Sequence, residues 1–551
     1  CEGNRLMLIQ LKGGRVIDPA NNRDSVGDVF LENGRIVDAP DGREPDEVHD
    51  VSGKIVMAGA IDVHSHIAGT NVTLGRQLIP ELPLIASAEG QPILPSSATW
   101  GSYATGIRYA EMGYTTVIEP AMIPTHAIQS HKEMASIPII DVAGLVILGN
   151  DDYTLKLLRT GNVKSDELKD YVAWTLSHSK ALGLKVINAG GSEAFKFNAR
   201  TFDLDEQVPE YGVTSRGIVE AMQQTIADLG VPHPPHVHTN NLGIAGNVDT
   251  AVATLEATQG NPIHLAHIQF YGYGKEGDKG FSSGAPRLME AINKHKNATV
   301  DVGQVMFGQC ITISGDVLRQ FDGRRAANPK KWIINQADGN GTGVVPYNYK
   351  KKSFVNALQW AIGLEIFLLA EDPWRVLFST DHPNGALFTR YPEIFHLLMD
   401  KDERSAWLDQ LPESSRQVSG LAGISRELTF SELAVMTRAA PAKVLGLTDR
   451  GHLAPGAVAD VAIYTDQKNK TKMFAAADLV FKSGKLVVRK GNVVDVSWGR
   501  CYHVEPGFDS QIEKRVRSFY ETYYGADPSW FGVTETVSDR PDRFATIRCA
   551  S

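Results

Sequence analysis

The chain has 551 residues, 42% hydrophobic and 22% charged, which is ordinary for a folded protein with a large apolar core. Its formal net charge of −9 argues against a general affinity for nucleic acid. The four cysteines (Cys1, Cys310, Cys501 and Cys549) form no CxxC pair, so we expect a reducing compartment without a disulfide framework. No apolar run is long enough to span a membrane, and the first residues do not resemble a signal peptide. We therefore expect a cytoplasmic protein without membrane contact.

Short apolar runs separated by turn signals occur near both ends of the chain. Asn33-Gly34, between the apolar runs at 28–31 and 35–37, is a typical hairpin signal. Similar runs recur at 458–464, 479–481 and 487–488. We predict that residues 1–59 and 438–500 form one discontinuous β-sandwich domain. Two separate β appendages are the alternative.

Between these segments, strand-like runs alternate with helix-length stretches. The first run lies at residues 56–66 and ends in two histidines. Seven more follow at 114–119, 138–143, 184–188, 236–238, 263–267, 298–302 and 375–381. Eight strands in a βα rhythm predict an α/β fold, a (β/α)₈ TIM-like barrel, over residues 60–437. Residues 501–551 form a C-terminal extension, for which we expect a role in packing or subunit contact.

Residue types that bind metal ions occur at or near the ends of five of these runs. His64 and His66 are two residues apart, so their side chains leave a strand on the same face. Such a pair alone is weak evidence for a metal site. Lys185, His238 and Asp381, together with a histidine of the sixth run, extend the pattern to later strands.

The fifth and sixth runs each contain a competing histidine. His236 shares a face with His238, so either could be the ligand, and the position of His238 at the strand end favours it. His264 and His267 face opposite ways in an extended strand, so only one of them can reach the barrel centre. Lys185 lies in an apolar strand, where burial as an unpaired cation would be costly.

This set of residues resembles that of the binuclear members of the amidohydrolase superfamily. The resemblance implies that His64, His66, Lys185, His238, His267 and Asp381 bind two divalent metal ions. It further implies that Lys185 is N6-carboxylated and bridges the ions, and that Asp381 also transfers the catalytic proton. Because the set contains imidazole and carboxylate groups but no thiolate, Zn²⁺ is the best candidate.

Six motifs point to a narrower group within that superfamily. They lie at residues 64–69, 75–81, 184–191, 238–243, 267–270 and 379–385. They resemble the A subunits of archaeal formylmethanofuran dehydrogenases and, more strongly, of bacterial formyltransferase/hydrolase complexes. The resemblance implies a formylmethanofuran-type substrate and a hetero-oligomer that includes a formyltransferase. Candidate substrate contacts are Asn240, Asn241, Arg76 and His382.

The expected reaction is hydrolysis of the N-formyl group to formate and methanofuran, in one-carbon metabolism. One alternative is the corresponding polypeptide of a formylmethanofuran dehydrogenase, which condenses formate with methanofuran. A more distant alternative is a cyclic-amide hydrolase of the dihydropyrimidinase kind, which the residues around Asn240 and His382 argue against. A metal-free scaffold without catalysis is the non-enzymatic alternative.

Overall fold

A curled sheet of parallel strands forms the centre of the protein. The computed structural model describes residues 7–79, 101–159, 165–196, 199, 201–337, 340–538, 540 and 542–550, so Pro80 and Glu81 of the second motif lie outside the described residues. Consecutive strands of the sheet are paired in parallel, which confirms the predicted TIM-like topology. The eight strands are Ala60–Asp62, Tyr114–Met122, Asp141–Ile147, Gly183–Ile187, His236–His238, Ile263–Leu265, Ala298–Asp301 and Val376–Leu377.

The third strand begins later than the sequence pattern predicts. The apolar run starts at residue 138, whereas the strand starts at Asp141. Ile139 has a φ of 68°, and its backbone N–H donates to the carbonyl of Ser497 at 2.8 Å. This left-handed residue cannot continue a strand, so the regular backbone starts only after it.

The first and last strands are joined by few contacts. An isolated bridge pairs Ser65 with His382, and the His66 N–H donates to the His382 carbonyl at 2.8 Å. The Tyr391 hydroxyl adds a bond of 2.6 Å to Oδ2 of Asp62. These contacts close the barrel beside the residues predicted to bind metal.

Among the described residues, eight helices cover the outside of the barrel; seven connect consecutive strands, and the last follows the eighth strand. They are Ser102–Glu111, Ala127–Ala135, Asp166–His178, Ser215–Asp228, Val248–Glu256, Ala285–Lys294, Phe354–Leu368 and Tyr391–Met399. The side chains of Ser165, Thr214 and Ser353 each accept a backbone N–H at the start of a helix. Further helices are Thr70–Leu78, Asp152–Leu158, Gly191–Lys196, Val317–Gly323, Lys401–Leu408, Glu413–Arg416, Phe430–Ala434, Ala440–Leu445, Lys470–Ala475 and Gln511–Tyr523.

The two terminal β segments share a second sheet. Lys54–Ala58 pairs antiparallel with Val461–Thr465, which joins the first segment to the later one. The other strands are Leu8–Asp18, Arg23–Glu32, Arg35–Val37, Glu47–Asp50, Leu479–Lys482, Lys485–Arg489 and Asn492–Val493. A separate apolar core, including Leu11, Val29 and Phe481, packs within this region. The division of the chain into domains at the boundaries given above stays a prediction.

Two further groups of strands are attached to the barrel. Cys501–Val504 pairs with the start of the third barrel strand, and Phe544–Ile547 pairs with Cys501–Val504, so the C-terminal extension enlarges the central sheet. The long insert after the seventh strand folds as a three-stranded sheet of Gly308–Ser314, Ile333–Ala337 and Asn340–Tyr349. A short hairpin of Tyr273–Gly274 and Ser282–Ser283 follows the sixth strand.

Candidate metal centre

One cavity brings together all six residues predicted to bind metal. His64, His66, Lys185, His238, His267 and Asp381 all line it. They come from the first, fourth, fifth, sixth and eighth strands or the residues just after them. Because the carboxyl ends of parallel strands meet at one face of a barrel, residues distant in sequence converge there.

Asp381 lies between the two histidines of the first strand. Its Oδ1 is 3.0 Å from Nε2 of His64 and 3.3 Å from Nε2 of His66. Asp381 has a φ of 49°, a left-handed backbone that turns the chain sharply after the eighth strand. Burial opposes ionisation of this carboxyl, but nearby His267 and His64 lower its pKa well below the ordinary value. The side chain is therefore a carboxylate, suited to bind metal and to accept a proton.

The deep part of the cavity contains polar atoms that have no hydrogen-bond partner within the described part of the chain. They are Nζ of Lys185, Nε2 of His238 and Nδ1 of His267. Burying a polar group without a partner is costly. Nitrogen atoms that face one cavity beside a carboxylate match the donor set of a divalent metal centre, so these residues fit such a group.

Lys185 is buried in the middle of the fourth strand. Burial lowers its pKa to about 8, because an ammonium group is poorly solvated there, although the carboxylates of Asp301 and Asp381 oppose this effect. At neutral pH a much larger fraction of Lys185 is therefore the uncharged amine than in an exposed lysine. The uncharged amine is also the form that reacts with CO₂.

The outer nitrogen of His66 contacts a carboxylate outside the cavity lining. Nδ1 of His66 lies 3.2 Å from Oε1 of Glu119, a residue within the second strand. Glu119 also accepts the backbone N–H groups of Ile67 and Ala68 at 2.7 and 3.0 Å. A carboxylate that accepts the Nδ1 proton of His66 leaves Nε2 free to bind a metal.

Asp301 contacts Nδ1 of His64 much as Glu119 contacts Nδ1 of His66. Its Oδ2 lies 3.2 Å from Nδ1 of His64 and 3.1 Å from Nε2 of His264. Its Oδ1 accepts the His267 N–H at 3.0 Å and the hydroxyl of Ser379. Burial opposes ionisation of Asp301, but the histidine partners lower its pKa well below the ordinary value. Asp301 thus connects three strands beneath the cavity.

The competing histidines occupy different depths. His238 and His267 line the cavity, whereas His236 and His264 lie below it. Nε2 of His236 is 2.8 Å from Nδ1 of His64, and Nδ1 of His264 is 2.9 Å from Oγ1 of Thr299. The ligand roles of His238 and His267 stay predictions, with a geometry that favours them.

Asn240 and Asn241, two predicted substrate contacts, hold the loop after the fifth strand. Nδ2 of Asn240 donates to the carbonyl of Phe202 at 3.0 Å and to Oγ of Ser215 at 2.8 Å. Asn241, with a φ of 65°, donates to Oδ1 of Asp203 at 2.5 Å. Neither residue is among the described residues that line the metal-site cavity.

Arg76 and His382, the other two predicted contacts, also lie outside that lining. Nη2 of Arg76 donates to the Ile67 carbonyl at 2.9 Å, and its Nη1 lies 3.3 Å from Glu133. Nδ1 of His382 accepts the Phe388 N–H at 3.3 Å. Their contribution to substrate binding stays a prediction, as does that of the two asparagines.

Asn384 is a cavity residue that sequence reasoning did not select. Its Nδ2 donates to Oδ1 of Asp381 at 2.8 Å, and its Oδ1 accepts the Ile313 N–H from the insert. The insert contributes Thr312, Ile313 and other residues to the cavity wall. Asn384 lies three residues after Asp381 in the last motif. This closeness in the sequence is the signal that could have identified Asn384 as a site residue. Glu119 and Asp301 gave a weaker signal, as acidic residues in apolar strands, Glu119 within the second and Asp301 at the end of the seventh.

A parallel barrel joined to a second sheet, with histidines, a lysine and an aspartate meeting at the carboxyl ends of the strands, defines the amidohydrolase class of metal-dependent hydrolases. The model of the Amidohydrolase family matches residues 47–495, and the chain belongs to this family. Amidohydrolases generally use a binuclear metal centre, and His64, His66 and Asp381 are grouped closely enough to hold an ion.

Two relatives resemble the chain over nearly its full length. The A subunit of the formyltransferase/hydrolase complex Fhc from Methylorubrum extorquens is 48% identical over 550 residues, 98% of this chain and 100% of that protein. Protein FwdA from Methanocaldococcus jannaschii is 37% identical over 557 residues, 96% of this chain and 97% of that protein.

A solved structure also matches. The crystal structure of the Methylorubrum extorquens complex FhcABCD with methylofuran contains a chain that superposes with a TM-score of 0.95 at 48% identity. The match covers 99% of this chain and 100% of that one. In the described part of the present chain, no helix has both the length and the apolar character needed to cross a membrane.

Proposed function

We propose that the chain is the hydrolase component of a formyltransferase/hydrolase complex and hydrolyses the N-formyl group of a formylmethanofuran-type coenzyme to formate and the free amine. The convergence of His64, His66, Lys185, His238, His267 and Asp381 on one cavity carries the proposal. Support for the substrate comes from the 48% identical Fhc relative, whose complex was solved with methylofuran.

The six residues would hold two divalent metal ions, with Zn²⁺ the best match for imidazole and carboxylate ligands. Lys185 would be carboxylated on Nζ and bridge the pair. Its burial, its lack of a partner among the described residues and the resemblance to binuclear amidohydrolases support this assignment. When bound, the ions would supply Lewis acidity and make water acidic enough to attack at neutral pH.

The protein's own groups would then manage the proton and the substrate. Asp381 accepts the proton of the attacking water and returns it to the amine nitrogen as the C–N bond breaks. Asn384 holds the carboxylate through the bond of 2.8 Å to Oδ1. Ile147, Ile187 and Phe270 line the cavity with apolar side chains, and the insert adds Ile313 to that lining.

A component of a formylmethanofuran dehydrogenase, which condenses formate with methanofuran, is the second candidate, favoured by the 37% identity to FwdA. A single chain does not separate the two roles, because the same site can catalyse either direction. Purification of the native assembly separates them. A formyltransferase partner supports the hydrolase, and a molybdenum or tungsten protein with iron–sulfur proteins supports the dehydrogenase.

The direct test is formate release by the purified native complex. We expect formate from the formylated coenzyme and no ring opening of dihydrouracil, a cyclic amide. Hydrolysis of dihydrouracil without formate release from the formylated coenzyme would contradict the proposal and favour a cyclic-amide hydrolase. Each rate is compared with that of a chelator-treated sample.

A further inference from the structure

Three buried histidines form a chain that leads from the cavity into the barrel core. Nδ1 of His64 lies 2.8 Å from Nε2 of His236, and Nδ1 of His236 lies 3.1 Å from Nε2 of His233. Nδ1 of His233 lies 3.1 Å from the carbonyl oxygen of Val444. All three rings are fully buried. The metal site proposed above uses His64 but assigns no role to His236 or His233.

The carbonyl at the far end fixes the proton positions along this chain. A carbonyl oxygen only accepts, so Nδ1 of His233 must carry the hydrogen. Burial lowers the pKa of His233 to about 3, so its ring is neutral and Nε2 is an acceptor. Each N···N contact needs one hydrogen, so Nδ1 of His236 donates and Nε2 of His236 accepts from Nδ1 of His64. When a metal ion occupies the proposed site, Nε2 of His64, on the side of the ring that faces Asp381, is then the nitrogen whose lone pair is available to bind it.

We infer that His236 is a positioning residue that holds His64 in the tautomer and ring orientation able to bind a metal ion. This inference rests on the proposed metal site. His236 is the histidine that shares a strand face with the predicted ligand His238. The two therefore act at successive depths, His238 at the cavity and His236 one layer below.

Asp301 limits the loss of metal affinity that we expect when His236 is replaced. Its Oδ2 lies 3.2 Å from Nδ1 of His64 and could accept the same hydrogen if His236 were replaced. That oxygen already accepts Nε2–H of His264 at 3.1 Å, so it is a partial substitute. Loss of an outer hydrogen-bond partner of a metal ligand typically costs about 10- to 100-fold in affinity. We expect a loss near the lower end, about 10-fold.

The test measures metal affinity in the full-length protein by chelator competition, together with the visible absorption spectrum of the Co²⁺-loaded form. His236→Phe keeps a ring but removes both nitrogens, and His236→Gln offers an amide oxygen as a replacement acceptor. His131→Phe is the matched control, because His131 is a buried histidine bonded to a backbone carbonyl, that of Ser179, away from the cavity.

We expect His236→Phe to bind one metal ion about 10-fold more weakly with an altered Co²⁺ spectrum, and His236→Gln to recover most of the affinity. His131→Phe should match the wild type. If His236→Phe does not fold, His233→Phe replaces it, with a smaller loss in the same direction. Wild-type affinity and spectrum in the folded His236 or His233 variant would overturn the inference alone. A wild-type chain that binds no metal would contradict the proposed function as well.

Discussion

Oδ1 of Asp381 lies 3.0 Å from Nε2 of His64, although the two residues follow the last and first strands of the barrel. These strands share little regular pairing, so polar contacts near the cavity close the barrel. Metal binding by the same two residues would stabilise this junction between the first and last strands. Closure of the fold and construction of the site are thus linked at one place.

His238 and His267 should both be required for full metal loading. Replacing either by alanine removes one imidazole from the cavity, and we expect the metal content to fall from about two ions per chain to about one or fewer. Elemental analysis of freshly purified protein measures this change. His178→Ala is the control, because the half-buried His178 bonds the Pro528 carbonyl and is not among the described residues that line the cavity. Unchanged metal content in both cavity variants would exclude them as ligands.

Carboxylation of Lys185 predicts that metal loading depends on CO₂. We expect metal-free, CO₂-depleted protein to take up Zn²⁺ several-fold more completely when bicarbonate is added, because the carbamate supplies the bridging oxygens. Lys185→Met, which keeps the length of the side chain without the amine, should bind less metal and ignore bicarbonate. Uptake by the wild type that is independent of bicarbonate would contradict the carbamate.

Asn384 should support catalysis through Asp381. Asn384→Ala removes the bond of 2.8 Å to Oδ1 of Asp381 and the contact with the Ile313 N–H. A hydrogen bond to a charged group is worth about 1.5–3 kcal/mol, so we expect kcat to fall by about 10- to 100-fold. Asn356→Ala, which removes a buried asparagine that bonds the Lys350 N–H, is the control. Equal effects of the two variants would argue against a role in the site.

Glu365 should make stability depend on pH. Burial raises its pKa from 4.5 to about 7. The folded state therefore retains a proton that the unfolded chain has lost, and stability falls as the pH rises through this interval. We expect Glu365→Gln to match the wild type near pH 4 and to be more stable at pH 8 by at most about 3 kcal/mol. Urea unfolding at both pH values measures this, with exposed Glu290→Gln as the control. A constant difference between the two pH values would contradict the titration.

The convergence of the six predicted ligands on one cavity was predictable because a barrel topology places strand ends together. Once eight strands are recognised, residues such as His64, Lys185 and Asp381 must converge, whatever their separation in sequence. The parallel pairing of all consecutive strands confirms the step on which that reasoning depends. The same argument does not give depth within the barrel, which is why His236 and His238 remained alternatives.

Other features depend on tertiary contacts that no local pattern encodes. The structure pairs Asn384 with an insert strand, and it pairs Cys501–Val504 with the third barrel strand. Both contacts join segments far apart in the chain through short or irregular backbone. The late start at Asp141 likewise follows from a bond to Ser497 in a distant segment. Propensity is weak evidence where such contacts decide the outcome.

In the proposed function, Asp381 carries the proton while the cavity hydrolyses a formyl amide. The most direct measurement is formate release from the formylated coenzyme by the wild-type complex and by Asp381→Asn, each corrected for metal content. Asparagine keeps the shape but cannot accept the proton, so we expect the rate per metal-loaded chain to fall by about 10²- to 10⁴-fold. Equal rates for the two proteins would contradict the account.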